Sequence, residues 1–268
     1  MKRESLQTNH EERRIKPVSV KNEELGERDE SQSRGFASWL FIGPILASIS
    51  LLGLLQLLFT LEKDELVRSP KSLLINLFFL LFFLFVHTFF ARGFGRMLLN
   101  KPFGPKAEKP LFVLSSGLAL FLMVSFWTTC GPILWSIESG VFYWLSLLLK
   151  ITGIVLICWS SIVIGLNEIF AISHIQSIER KTTTPRQELV ALPPYSFIRH
   201  PLNLGFIILL LSMNEVTVDR LLMQIIFIPW ILLISPIEER EAELSFGDGY
   251  MRYKEKTPRW IPRIDVSE

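Results

Sequence analysis

Cysteine is nearly missing from this chain: Cys130 and Cys158 are the only two in 268 residues. Neither has a Cys-x-x-Cys partner or a histidine cluster beside it, so a disulfide framework and a zinc site are both without support. Both read as packing residues, and no metal is expected. Aromatic residues are missing from the first 34 positions, where eight Lys/Arg mix with eight Asp/Glu and no apolar period runs. A segment of that composition cannot bury enough apolar surface to fold, and residues 1–35 are expected to form a disordered cytosolic tail. An apolar core near the start is missing as well. The first hydrophobic run begins only at Phe36, so a cleaved signal peptide is not expected. A large net charge is also lacking: 28 basic and 26 acidic residues leave +2. That balance says little about partners, and no nucleic acid is expected among them.

What the chain has in excess is apolar surface. Hydrophobic residues make up 49% of it, with 21 Phe, and its mean hydropathy is +0.36. A soluble domain of this size carries less, so residues 36–268 read as an integral membrane domain with the lipid bilayer as its surroundings. Runs at about 36–61, 71–91, 110–135 and 142–166 are each long enough to cross a hydrocarbon core of ~30 Å. A further apolar stretch from Pro201 to Ser235 is interrupted by Met213 to Arg220 and reads as two short helices, about 201–213 and 219–235, joined by a tight polar turn. The expected fold is all-α: a polytopic membrane bundle of about six spans, the last two a helical hairpin, followed by a cytosolic amphipathic C-terminal helix.

Six spans put both termini on one side, and the basic residues agree. The tail, the loop from Arg92 to Lys109, the loop from His174 to Arg199 and the segment after Ser235 hold 23 Lys/Arg, against four (Lys63, Arg68, Lys71 and Arg220) on the other side. The positive-inside rule places the 23 in the cytoplasm, in a bacterial inner membrane or, in a eukaryote, the endoplasmic reticulum or nuclear envelope. Lys150 lies within a run. It stands about eight residues from the run's outer end, so it is expected to snorkel toward the far interface.

The stretch from Tyr195 to Gly205, Tyr-Ser-Phe-Ile-Arg-His-Pro-Leu-Asn-Leu-Gly, puts an Arg, a His and a Pro where a polar loop becomes an apolar helix. Pro201 suits the first helical position, since its fixed φ is helical and the N–H it lacks would be unpaired there. Free backbone N–H groups and a positive dipole end then sit beside the permanent charge of Arg199. Such a place attracts a carboxylate or phosphate, unless Arg199 and His200 only anchor the helix at the interface. After Pro236, Glu238 and Glu239 are expected at the start of a cytosolic helix, with Phe246, Tyr250 and Tyr253 on one face of it.

Taken together, Arg199-His200-Pro201 with Leu204-Gly205, then Glu238-Glu239, Phe246-Gly247, Tyr250 and Tyr253, resemble the paired signature of integral membrane methyltransferases related to isoprenylcysteine carboxyl methyltransferase. Order and spacing match over some 65 residues. Val86-His87-Thr88 with Ala91-Arg92, Glu108 to Leu111, Trp127 and Asn167 resemble bacterial methanethiol S-methyltransferases and the nuclear-envelope protein nurim. Gly131 to Trp135 and Asp219 to Leu222 look especially like nurim. The chain departs from the methanethiol enzymes at Asn167-Glu168-Ile169-Phe170, where they read Asn-His-Phe-Asp, and at Asn203, where Tyr is usual.

The resemblance implies methyl transfer from S-adenosyl-L-methionine. The acceptor is a small or lipophilic thiol, or an isoprenylcysteine carboxylate. Within it, Arg199 faces the cofactor carboxylate, and Glu238 or Glu239 its ammonium. Tyr195 and Tyr250 offer aromatic surface, and Gly205 and His200 complete the cofactor site. His200 and Glu168 are the candidate catalytic groups, His200 as base for a thiol and Glu168 as a wall of the acceptor cavity. Two other readings stand beside this one. A nurim-like structural membrane protein would keep the fold without the reaction. A nicotinamide-dependent reductase would need a basic cluster for a 2′-phosphate, for which Arg252, Lys254, Lys256 and Arg259 are the candidates.

Overall fold

A computed structural model describes residues 35–59, 70–183 and 188–262. All of the expected tail but Gly35, which opens the first helix, lies outside the described residues, as do Lys63 and Arg68. The first apolar run is helical over Gly35–Phe59, its main part α1 being Ile42–Phe59. Then follow α2 (Pro70–Phe90), α3 (Gly93–Phe103), a 3-10 turn at Pro105–Ala107 and α4 (Glu108–Phe126). Strand β1 (Ile133–Ser136) precedes α5 (Val141–Ile164), α6 (Leu166–Ile169) and α7 (Ile172–Glu179). The chain ends with α8 (Pro201–Leu211), β2 (Glu215–Thr217), α9 (Val218–Phe246) and α10 (Asp248–Lys256). Five of these helical stretches are long and apolar enough to cross a membrane, and most of their surface faces outward. Trp39, Phe78, Phe85, Trp144 and Leu233 are among the exposed apolar side chains, as lipid-facing residues are. The molecule is an all-α polytopic membrane protein.

Two helix pairs form the frame. Helix α1 lies along α4, where the α-carbon side of Gly117 meets the backbone of Ala47, and α5 lies along α8. In the second pair, Gly153 and Gly205 face each other so closely that a Cβ on Gly205 would stand 2.7 Å from Ile157 Cγ1 and 3.0 Å from the Gly153 carbonyl. Small residues at such a seam let backbones approach where no hydrophobic drive separates helix from lipid. Helices α2 and α9 close the bundle around Leu80, Leu120, Met123 and Met223.

Three expected boundaries differ. The run 110–135 is helical only to Phe126, because the chain beyond it is taken up by side chains of other elements. Asn76 donates to the Thr128 carbonyl (2.7 Å) and accepts from its N–H (3.0 Å). Asp219 accepts from the Trp127 indole (2.9 Å), the Cys130 N–H (3.0 Å) and the Thr217 hydroxyl (2.7 Å). The freed segment forms β1 and pairs antiparallel with β2, so the Met213 to Arg220 turn carries a strand, with Ser136 opposite Glu215. Secondly, α8 has 11 residues. At about 16 Å it is too short to span the ~30 Å core alone. Thirdly, α9 runs unbroken through Pro229 and Pro236. Glu238 and Glu239 therefore sit inside a long helix instead of opening a new one. Membrane helices tolerate such prolines where neighbouring groups take up the freed backbone. The helix stops at Gly247, whose φ of 54° belongs to the left-handed region. Tyr250 and Tyr253 thus lie on α10 and Phe246 on α9, not on one helix.

Lys150 reaches toward the end of α5 that carries the β1–β2 pair. It donates to Asn214 beside the β1–β2 pair and lies over the Phe59 ring, 5.8 Å from its centroid.

Candidate functional site

Arg199 and His200 immediately precede Pro201, so the start of α8 fixes both, and the chain after α10 folds back over them. The Arg199 N–H donates to the Pro258 carbonyl (2.9 Å) and the His200 N–H to that of Arg259 (3.4 Å). The guanidinium extends this link. Its Nη1 donates to the carbonyls of Lys254 (2.9 Å) and Thr257 (2.6 Å), and its Nε to Glu239 Oε1 (2.9 Å).

Glu239 is the centre of this knot, with 1% of its surface exposed. Arg259 binds it by two parallel bonds of 2.8 Å, and His200 Nε2 lies 3.1 Å from Oε1. A carboxylate taken out of water demands such pairing. Trp260 covers the His200 ring at 5.4 Å between centroids. Burial holds the His200 imidazole below its ordinary pKa, although the bond to Glu239 and the charge of Glu238 pull the other way. The same Glu239 bond raises Arg259 above its usual value.

Beside the knot opens a chamber of about 760 Å³. Tyr195, Phe246, Tyr250 and Tyr253 give it aromatic walls, and Lys109, Glu168, Glu188 and Arg199 bring both signs of charge. Burial pushes the phenols of Tyr250 and Tyr253 up to about 12, and that of Tyr195 higher still. Tyr253 fixes the loop by donating to the Tyr195 carbonyl (2.6 Å). Burial alone would raise the Glu168 carboxyl. Bonds from Lys109 (2.9 Å) and Ser173 outweigh it and hold the group below the ordinary carboxylate range.

A second, apolar chamber of about 300 Å³ lies between α1, α2, α4, α8 and α9. Phe83, Phe112, Phe206 and Trp230 line it with His87, and Ser116, Asn203 and Glu238 are its other polar groups. Ile169 borders both chambers.

The structure therefore gathers Tyr195, Arg199, Glu168 and Tyr250 around one space. His200 and Glu239 lie behind it, bonded to each other, and border neither chamber. Glu238 belongs to the apolar chamber, where Asn203 donates to it (3.3 Å), and it pairs with Arg92 at 3.6 Å. Gly205 is a packing residue in the α5–α8 seam. The sequence does not mark Arg259 and Trp260 as partners of Glu239 and His200. Their signal was weak, because they follow Thr257-Pro258 as two residues in a basic segment. Among the cations expected for a 2′-phosphate, Arg259 is committed to Glu239 and Lys254 to Glu243.

No family profile and no solved structure matches the chain. Curated proteins do. It is 26% identical to methanethiol S-methyltransferase 1 of Bradyrhizobium diazoefficiens over 85% of its own length and 80% of that protein's. It is 24% identical to methanethiol S-methyltransferase of a Pseudomonas species, over 74% and 76%, and to the nurim homolog of Drosophila melanogaster, over 68% and 74%. The chain is thus similar, along most of its length, to methanethiol S-methyltransferases and nurim homologs, as the segments around His87, Glu108, Trp127 and Asp219 lead one to expect.

Proposed function

We propose that the protein is an S-adenosyl-L-methionine-dependent methyltransferase of the membrane, acting on a small or lipophilic thiol from a cofactor chamber that opens to the cytoplasm. The observation that carries this is the mixed lining of the larger chamber. Its volume lies within the usual range for small-molecule sites, roughly 300 to 1,000 Å³, and its charges suit a zwitterion with an aromatic base. Arg199 spends Nε and Nη1 on protein groups, while its Nη2 makes no hydrogen bond among the described residues. With Lys109 it would hold the cofactor carboxylate. Glu168 or Glu188 would take the ammonium, since Glu239 is already saturated by Arg259 and Arg199. The tyrosines would cover the adenine and favour the sulfonium by cation–π attraction.

Bound there, the cofactor supplies a methyl group on a positively charged sulfur. The protein's part is to hold that carbon in line with the acceptor and to exclude water. Each turnover forms one bond from acceptor sulfur to methyl carbon, breaks one bond from methyl to the cofactor sulfur, and releases the thiol proton.

Two features favour a second, non-catalytic reading: the similarity to nurim homologues and the Trp127–Asp219 network, which lies in the segments that look like nurim. Calorimetry on purified protein with S-adenosylhomocysteine and with a reduced nicotinamide dinucleotide, followed by labelled methyl transfer to ethanethiol and to a farnesylcysteine analogue, separates the readings. Binding of S-adenosylhomocysteine alone, with transfer to the thiol, is expected. Transfer only to the farnesylcysteine analogue would make the acceptor a carboxylate, and no binding of S-adenosylhomocysteine would favour the structural reading.

A further inference from the structure

The residues that bound the larger chamber leave one step without an agent. A thiol must lose a proton to become a good nucleophile. His200 is locked against Glu239 and Trp260 away from both chambers, and both oxygens of Glu168 are taken up by Lys109 and Ser173. The smaller chamber contains a different candidate. His87 stands in its wall within an aromatic collar, 5.1 Å from Phe112, 5.6 Å from Phe83 and 5.8 Å from Trp230 between ring centroids. Its ring forms no hydrogen bond among the described residues. The Ser116 hydroxyl borders the same space, 91% buried and likewise without a partner. Buried polar groups in native proteins are usually bonded, so the unpaired Ser116 hydroxyl, in one wall with a half-buried imidazole that bonds nothing, points to a ligand that pairs with both.

We infer that the apolar chamber seats a short-chain alkyl thiol, with its sulfur at His87 and Ser116, and that His87 is the base that takes its proton. This rests on the methyltransferase reading above. The S–H proton passes to the free ring nitrogen of His87. The sulfur lone pair forms the bond to the methyl carbon of the donor sulfonium, and the electron pair of the breaking methyl–sulfonium bond stays with the departing sulfide. Ile169, shared by the two chambers, marks where acceptor and donor meet. The charged groups around the imidazole then matter for resetting it. Glu238, paired with Arg92 at the chamber's edge and half in water, offers the proton a way out. At about 300 Å³ the chamber is at the lower end of the small-molecule range and suits a short alkyl chain.

The test compares wild type, His87→Gln and His87→Ala with a thiol and with the selenol of the same chain, which is ionised at neutral pH without a base. Both variants should lose on the order of 100-fold or more in kcat on the thiol while methylating the selenol within a few fold of wild type. Their affinity for S-adenosylhomocysteine should not change, which also shows that they fold. An unchanged thiol rate, or equal loss on thiol and selenol, overturns the base assignment. For the seat, Ser116→Cys in a background without Cys130 and Cys158 should be protected from N-ethylmaleimide by the thioether product; no protection overturns it. If wild type itself neither binds S-adenosylhomocysteine nor transfers methyl, the methyltransferase reading fails, and the inference with it.

Discussion

A single carboxylate, Glu239, holds three parts of the chain together: the loop before α8 through Arg199 and His200, the C-terminal segment through Arg259, and α9 on which it sits. Removing its charge leaves Arg199, 9% exposed, without a counter-ion. Breaking a buried pair in this way costs on the order of 3–5 kcal/mol. Glu239→Gln is therefore expected to lower the midpoint of thermal unfolding in detergent and to weaken S-adenosylhomocysteine, because the chamber wall loosens. An unchanged midpoint would show the knot to be dispensable. The tyrosines give a second prediction at this scale. Tyr250 and Tyr253 ionise near 12 in the folded protein, whereas an unfolded tyrosine does so near ~10. The raised value means that the neutral form is the one the fold keeps. Stability from these groups is intact below pH ~10 and is lost as pH climbs from there toward 12. Absorbance at alkaline pH should show Tyr250 and Tyr253 ionising late, in that window. Tyr250→Phe should flatten the loss of stability in that window.

The helices carry their own prediction. Gly205 was expected at the cofactor, yet it lies against Gly153 and Ile157, where an added methyl meets backbone. Gly205→Ala is expected to destabilise the protein by about 1–3 kcal/mol through overpacking. The affinity of the folded fraction for S-adenosylhomocysteine should stay within a few fold; a large selective loss of affinity would return Gly205 to the site. This case shows where sequence reading stops. A run of twenty apolar residues announces a span because the bilayer demands it, so α1, α2 and α5 were legible to within a few residues. Pro201 fixed the start of α8 in the same way. The end of α4 was not legible. It is set by Asn76 and Asp219, which stand 52 and 92 residues from the groups they bind at Thr128 and Trp127. Pro236 misled for a related reason. It reads as a boundary locally, while the surrounding bundle keeps α9 helical. At the site, Tyr195, Arg199 and Tyr250 read as one group and border one space, whereas Glu168, expected in the acceptor wall, borders that same space, and the mutual pairing of Arg199 and Glu239 follows only from tertiary closure.

For the whole molecule, the division of basic residues predicts both ends of the described chain on the cytoplasmic face and the β1–β2 pair on the other. Cysteines placed at Ser139 and Ser245, in a background lacking Cys130 and Cys158, test this with an impermeant reagent applied to the outer face. Ser139→Cys should be labelled and Ser245→Cys protected; the reverse pattern would invert the topology. The shortness of α8 then matters for the membrane itself. Helix α9 is about 44 Å long by its 29 residues, whereas its neighbour α8 covers about 16 Å before the chain turns into β2. Beyond the end of α8 the same side of the bundle is closed by the β1–β2 pair, with Val216 and Thr217 buried and Ile133, Leu134 and Trp135 exposed. A bilayer thicker than α8 and this pair together must thin there, or the protein must tilt, each at a fraction of a kcal/mol per Å of mismatch. Acyl-chain length thus becomes a control on this protein, and bilayers of shorter lipids should hold the α5–α8 pair with less distortion than thick, sterol-rich ones.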